Sequence, residues 1–436
     1  MSHRRLLLLT YHFPPSAASG TFRMLGFARH LPRFGWQASV VAPPYLPWEP
    51  VDDRLLNQVP AEVVVHRVDY PLSRSWKLVR YFAQNGVWLP RALRAIRRIL
   101  RESPPDAVLT SGPPQCVHLL GLWLKRCYGL PWIADFRDPW VVGDRQEQWR
   151  SPRVWCARRC ERAILRHADL VIANAPRARA QLQAGYAEER DKIVVVTNGF
   201  DPESFPRRPP CSPARPHLEV VHPGEVYYGR DPRPFLDAFR AVRSVGISLR
   251  ARFLGRATGG DLDLNAEIRM RGLNGIIESG GQVSYEDSQG ALVNADILLL
   301  LDSPGRKVGV PAKLYEYLGA GAAVLALTEQ DGDAAWVLRT SGVLHRIAPP
   351  RDTERIRQAL AELTACLRAG HASCPAPERL AVFTRASTAQ FLASHLDTML
   401  GNQDASALAS EFFTSRRRQG RTGPSLALRA SDTDPF

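Results

Sequence analysis

The sequence predicts an α/β protein built from two doubly wound domains, each a parallel sheet between layers of helices. Three observations lead there. At 436 residues the chain is longer than a single hydrophobic core keeps growing, so two domains are expected. Short apolar runs such as Leu6–Thr10, Asp106–Thr110 and Ala295–Leu301 have the length and composition of strands buried on both faces, with helical patterns between them. The alternation runs as far as a proline-dense stretch, Pro202–Pro216, and restarts at Leu218. The chain therefore divides into a domain at 1–205, a linker at 206–217, a second domain at 218–382, a last amphipathic helix at 383–400 and a tail at 401–436. Poor in large apolar residues after Phe413, that tail is expected to be disordered.

Composition narrows the class. Hydrophobic residues make up 45% and aromatics 8%, as in a globular protein, and 57 Lys+Arg against 43 Asp+Glu give a net charge of +14. That balance favours anionic partners, among them nucleic acid, acidic membranes and phosphorylated small molecules. Seven cysteines are scattered, and Cys156 with Cys160 lacks a second pair or a histidine at ligand spacing, so free thiols in a reducing compartment fit better than zinc. The N-terminus has the Arg-then-Leu order of a signal peptide, but its apolar run, Leu6–Leu9, stops at Tyr11 and His12, too short for export. With no stretch long enough to span a bilayer, a cytoplasmic protein is expected.

In chain order, the strand Leu6–Thr10 leads into His12-Phe-Pro-Pro-Ser-Ala-Ala-Ser-Gly20, and a helix follows from Thr21 to Gly35. Small residues between a first strand and a first helix let backbone amides approach a phosphate, although one glycine is not a dinucleotide fingerprint. Strands follow at Ala38–Val41 and Glu62–Val68, and apolar residues from Trp76 to Phe82 lead to a basic helix after Pro90. There Leu93, Ile96, Ile99 and Leu100 form a stripe, with Arg91, Arg94, Arg97, Arg98 and Arg101 around it, which suits either a solvated face or an anionic membrane surface. Asp106–Thr110 is a strand, Ser111–Pro114 its terminal loop, Cys116–Tyr128 a helix and Pro131–Ala134 a strand. This last strand runs into Asp135-Phe-Arg-Asp-Pro-Trp140. Two carboxylates flanking Arg137 are costly if buried, so they read as an ion-pair clamp or as the floor of a cleft.

Arg150–His167 is a second basic helix, Asp169–Ala173 and Lys192–Val196 are strands, and Asn198-Gly199 is a turn. The second half repeats the pattern: strand Leu218–His222, loop Pro223–Arg233, helix Pro234–Val245, strands Ser248–Leu254 and Gly275–Ser279, and a helix Ser284–Asn294 capped by Ser284. Val308–Leu327 then reads as loop, helix and strand. Pro311 opens the helix and Gly319–Gly321 stops it, which sets Lys313 and Glu316 near a helix N-terminus at a strand's carboxyl end, where anions bind. A short strand at Val343–Ile347 and a helix at Arg351–Ala369 complete the second domain.

The order of these motifs resembles the family-4-type glycosyltransferases of the GT-B fold, especially those that build bacterial surface polysaccharides. The residues that carry the likeness are His12-Phe-Pro-Pro with Gly20 and Arg23, Gly112-Pro-Pro114, Asp135–Trp140, Asp169–Asn174, Asn198-Gly-Phe-Asp201, Gly224–Arg230 and Val310–Tyr317. The resemblance implies two Rossmann-like domains facing across a cleft, with the nucleotide sugar on the C-terminal domain, the acceptor on the N-terminal one, and the last helix crossing back. It implies that Glu316 accepts hydrogen bonds from ribose hydroxyls, as the second glutamate of an E-x7-E motif whose first position is Val308 here. It implies further that Arg230, or Arg233 in its place, neutralises the diphosphate, that Gly20 lets the first loop approach the phosphates, and that Lys313 or backbone from Gly309 to Ala312 stands in for the missing glutamate. Asp138 and Arg137 occupy the catalytic position, with Asp138 orienting the acceptor hydroxyl or taking its proton. His12, Arg23 and Asp135 fall on the acceptor side.

The expected activity is thus transfer of a hexosyl residue from a UDP- or GDP-linked sugar to a lipid-linked or saccharide acceptor, with retention, no metal and no cofactor beyond the co-substrate. The expected place is the cytoplasm or the inner face of the membrane. Asp-x-Asp patterns at 261–263 and 331–333 have a metal-binding form but are expected to be caps and turns. A sugar-nucleotide epimerase and a non-catalytic nucleotide-binding partner of other transferases remain as alternatives. Nucleic acid is disfavoured, because the arginines interleave with aliphatic rather than stacking residues.

Overall fold

The computed structural model of the chain describes residues 4–45, 49–70, 86–141, 152–205, 216–224, 226, 229–255, 262–281, 283, 285–371 and 373–401. Among these, two parallel sheets organise the molecule. The first holds β1 (Arg4–Thr10), β2 (Trp36–Ala42), β3 (Val64–Arg67), β4 (Ala107–Gly112), β5 (Trp132–Phe136), β6 (Leu170–Ala173) and β7 (Ile193–Val195). Its order is β3-β2-β1-β4-β5-β6-β7. The second holds β8 (Leu218–Pro223), β9 (Leu249–Leu254), β10 (Ile277–Ser279), β11 (Ile297–Leu301), β12 (Ala323–Leu327) and β13 (His345–Ala348), in the order β10-β9-β8-β11-β12-β13.

Leu6 to Leu9 and Ile297 to Leu301 are essentially inaccessible, as strands covered by helices on both faces must be, and for that reason they read as unbroken apolar runs. In each sheet the strand order reverses beside the first strand. The reversal falls between β1 and β4 in one domain and between β8 and β11 in the other, which opens a crevice at the carboxyl ends of the strands. Register then sets the floor of the first crevice: Thr10 pairs with Ser111, and Ser111 with Asp135.

The helix Arg385–Met399, capped by Thr384 Oγ1 accepting from Ser387 N–H at 3.1 Å, returns to the N-terminal domain and packs on Ser19–His30. The Asn198-Gly-Phe-Asp201 turn anchors it. Phe200 N–H donates to Phe383 O at 3.0 Å and Arg385 N–H to Phe200 O at 2.8 Å. A Cβ on Gly199 would sit 2.7 Å from Phe383 O, so this close approach requires glycine. Buried Asp201 accepts from Arg385 at 2.6 Å and Arg29 at 3.1 Å, and lies 2.8 Å from His30 Nε2. One apolar core continues across both domains, through Phe136, Phe200, Leu314, Tyr315 and Phe383.

The helix of the Val308–Leu327 stretch spans Lys313–Ala320, so Pro311 lies just before it rather than in its first turn. Gly321, at φ 69°, ends it. Gly319 does not, because it sits inside the helix where a Cβ would come within 2.8 Å of Phe200. The strand expected from Gly275 begins at Ile277, since Gly275 has a positive φ of 71° and belongs to the preceding turn. The segment from Trp76 to Phe82, the Ser284 cap, residues 206–215 of the linker and residues 402–436 of the tail lie outside the described residues.

Candidate functional site

On the N-terminal face, Asp135 and Arg23 are both buried and paired with one another. Arg23 Nε donates to Asp135 Oδ2 at 2.9 Å and Nη2 to Oδ1 at 2.8 Å. The remaining Arg23 donors reach Val196 O at 3.0 Å, Thr197 O at 2.8 Å and Asn198 Oδ1 at 3.2 Å, and Asp135 also accepts from Ser111 Oγ at 2.8 Å. A guanidinium has five N–H groups, and these bonds engage them all. The pair fixes the floor of the crevice and leaves Arg23 no donor for an acceptor molecule.

Arg137 turns the other way. Its Nε donates to Gly112 O at 3.1 Å and its Nη2 to Pro113 O, so the guanidinium closes the loop after β4. It lies directly over Gly20, where a Cβ would overlap Nη1; the small residue in the first loop is required by Arg137. Burial lowers the Arg137 pKa, with Asp135 and then Asp138 opposing. Asp138 is exposed, its backbone O accepts from Gln115 Nε2 at 2.5 Å, and a side chain on Gly309 of the opposite domain would come within 3.9 Å of its Oδ1. His12 is partly buried, with Nδ1 3.0 Å from Glu49 Oε1, while Glu49 Oε2 accepts from Ser16 Oγ at 2.8 Å.

On the C-terminal face, Lys313 Nζ donates to Pro223 O at 2.7 Å, tying the helix Lys313–Ala320 to the end of β8. Arg230 is buried near the same place, close enough that it and Lys313 both disfavour a proton on His222. His222 is itself buried, with Nδ1 2.8 Å from Leu299 O and Nε2 without a partner. Glu316 is partly buried, and no hydrogen bond or ion pair engages its carboxylate among the described residues. Burial raises its pKa, with Arg385 and then Lys313 opposing. Arg233 departs from expectation: it is exposed and forks onto Asp231 at 2.7–3.0 Å, its charge spent on a neighbour two residues away. Val308 is partly buried beside Gly309.

Among the described residues neither Asp-x-Asp pattern belongs to a group of ligands close enough to hold an ion. Asp263 caps a helix, accepting from Ala266 N–H at 3.0 Å, while Asp331 pairs with Lys307 and Arg177, both at 3.1 Å; Asp261 lies outside the described residues. Among the described residues the one group of His, Cys, Asp and Glu close enough to hold an ion is His30, Asp201 and Glu203, where Arg29 and Arg385 already occupy the Asp201 carboxylate.

Residues 21–199 match the family described as the glycosyl transferase 4-like domain. Residues 21–199 thus carry a glycosyl transferase 4-like domain, set in a two-sheet chain. No curated protein matches the sequence. Among solved structures, a glycosyltransferase from Rickettsia africae is similar at 14% identity and a TM-score of 0.63, over 92% of this chain and 100% of that one. HepE from Anabaena, solved with UDP-glucose, is similar at 19% identity and a TM-score of 0.58, over 94% and 100% of the two chains. A UDP-N-acetylglucosamine 2-epimerase from Listeria monocytogenes is similar at 12% identity and a TM-score of 0.57, over 92% and 98%. At these identities the likeness concerns the fold.

The fold also relies on residues that the sequence left unmarked. Buried Glu161 accepts from Trp140 N–H at 3.1 Å and Tyr186 OH at 3.0 Å, holding the end of the Asp138 loop. His118, stacked on Phe136 with centroids 4.5 Å apart, lies beneath Gly112; burial lowers its pKa to about 3. Arg306 reaches Asp302 at 3.3 Å and approaches Gly309. A buried glutamate with a tyrosine 25 residues away leaves no pattern in a linear chain, and neither does a histidine under a glycine.

Proposed function

We propose that this glycosyltransferase moves a hexosyl residue from a UDP- or GDP-linked sugar to a lipid-linked or saccharide acceptor, with retention and without a metal. The observation that carries the reading is Glu316: a partly buried carboxylate with no hydrogen-bond partner among the described residues, in the first turn of the helix that follows β11, within electrostatic reach of Arg385 and Lys313. An unpartnered carboxylate held among cations is costly unless a ligand completes it. A nucleotide does so, with ribose hydroxyls donating to Glu316 and the diphosphate drawn to Arg230, Lys313 and the positive end of the helix dipole. The leaving diphosphate gathers charge in the transition state, so those fixed groups assist departure as well as binding.

The gap at Val308 is met from across the cleft. Asp138 sits against Gly309, which supports a carboxylate near the reacting sugar that receives or orients the acceptor hydroxyl, while Arg137 holds the loop behind it. His12 lines the acceptor side. A membrane-borne acceptor fits the exposed arginines 91, 94, 97, 98 and 101 around the buried Ala92, Ile96 and Ile99 of the helix Leu89–Glu102, and this favours transfer over epimerisation of a free sugar nucleotide. No helix among the described residues is long and apolar enough to cross a membrane. The test is a calorimetric screen of UDP- and GDP-sugars, followed by product analysis with and without a lipid acceptor and with chelator present. Turnover only with acceptor and unchanged by chelator supports the proposal; isomerised donor without acceptor supports the epimerase.

A further inference from the structure

The helix Pro176–Gly185 in the N-terminal domain begins without a cap of its own: Ala175 stands at the N-cap and supplies no side-chain acceptor. Its first amides would be left bare at the domain boundary, a costly omission for a buried helix start. The missing acceptor comes from the other domain. Asp333, buried to 1% exposure, takes Arg177 N–H on Oδ1 at 2.9 Å and also accepts from Ala178 N–H. Its other oxygen, Oδ2, accepts Gly309 N–H at 2.9 Å. Gly309 has a positive φ of 83° and lies in the loop that enters the helix of Lys313 and Glu316.

One carboxylate thus joins the start of an N-terminal-domain helix to the loop that carries the nucleotide-binding helix. The same loop is braced by Asp333 N–H donating to Lys307 O at 2.9 Å and by Gly305 N–H donating to Glu329 Oε1 at 2.8 Å. Asp138 Oδ1 lies 3.9 Å from where a Cβ on Gly309 would stand, so the glycine that Asp333 fixes is also the one that the opposite domain's carboxylate approaches. We propose that Asp333 is a positioning residue, which sets the register between the two faces of the cleft by holding Gly309 and the Arg177 amide on a single carboxylate. Its role in turnover rests on the transferase reading of the cleft; the clasp itself does not. Reaction rates depend on placement to within about an ångström, so a pin at this point acts on turnover more than on nucleotide affinity.

The test compares wild type with Asp333→Ala, Asp333→Asn and, as a surface control away from both segments, Glu354→Gln, whose carboxylate meets Arg357 on its own helix. Amide exchange is followed over 174–182 and 303–312, UDP and GDP affinity by calorimetry, and kcat and KM with the donor that the screen selects. With alanine, exchange should quicken in both segments together and kcat should fall roughly tenfold, with donor KM and UDP affinity within about twofold. Asparagine offers one acceptor oxygen, so it should protect at most one segment and leave kcat low. Glu354→Gln should change neither. Asp333→Ala with wild-type kcat, or with faster exchange in one segment only, overturns the proposal, as does a kcat loss no larger than the unfolded fraction from thermal melting explains. If wild type binds neither UDP nor GDP, the transferase reading fails, while the exchange data still decide the clasp.

Discussion

The two faces of the cleft are built on opposite principles. On the N-terminal face the charged groups spend themselves on protein: Arg23 and Asp135 on each other, and Arg137 on the carbonyls of Gly112 and Pro113. On the C-terminal face Glu316 has no hydrogen bond among the described residues, in the first turn of a helix. A face whose charges are already paired is rigid and selective by shape; a face with an uncommitted carboxylate waits for a ligand. Under the proposed function, the contrast suits a donor held by its nucleotide on one side, with reacting groups kept still on the other.

The largest effect should come from breaking the saturated side. Arg23→Ala leaves Asp135 buried and unpaired, and should cost about 3–5 kcal/mol of stability in urea unfolding. A loss below about 1 kcal/mol would mean that the pair is not needed to hold the floor. Next, Asp138→Asn should lower kcat by roughly a hundredfold or more while nucleotide affinity stays within a few fold, as for a group acting mainly in the transition state; steady-state kinetics beside calorimetry check it.

On the open side, Arg230→Ala should weaken UDP or GDP binding by about tenfold, the scale of a charged hydrogen bond, whereas Arg233→Ala, already spent on Asp231, should change it less than about twofold. Equal losses from both would return Arg233 to the site. The smallest and most diagnostic effect is on protons. Burial holds the Glu316 pKa above its ordinary 4.5, and ribose hydroxyls donate best to the ionised form, so nucleotide binding should release protons at mildly acidic pH and tighten as pH rises. Calorimetry in buffers of different ionisation enthalpy measures the release, which Glu316→Gln should abolish.

Acid should act on the two faces differently. His118 is buried neutral with a pKa of about 3 against an ordinary 6.5, so the unfolded chain binds the extra proton below pH 6.5. The stability this group contributes is whole above 6.5 and falls away as pH drops toward 3, by about 1.4 kcal/mol per pH unit. Melting of wild type against His118→Gln over that range should show the steeper acid loss in wild type.

Much of the molecule was legible in the sequence. Runs such as Leu6–Leu9 and Ile297–Leu301 announced strands buried on both faces, and the restart at Leu218 announced a second sheet, because burial on two faces writes itself into local composition. The carboxyl-end loops at His12, Gly112, Asp135, Gly224 and Val308 followed from that alternation, and Lys313 and Glu316 at a helix start from local spacing. What the sequence left open was which charges are free. Arg23 meets Asp135 112 residues away, Arg177 meets Asp333 156 residues away, and Arg137 covers a glycine in the first loop. Periodicity reports how each residue relates to its own helix or strand. Whether a charge is spent or available depends on partners delivered by the register of the sheets and the seating of one domain on the other, and only the tertiary structure supplies those.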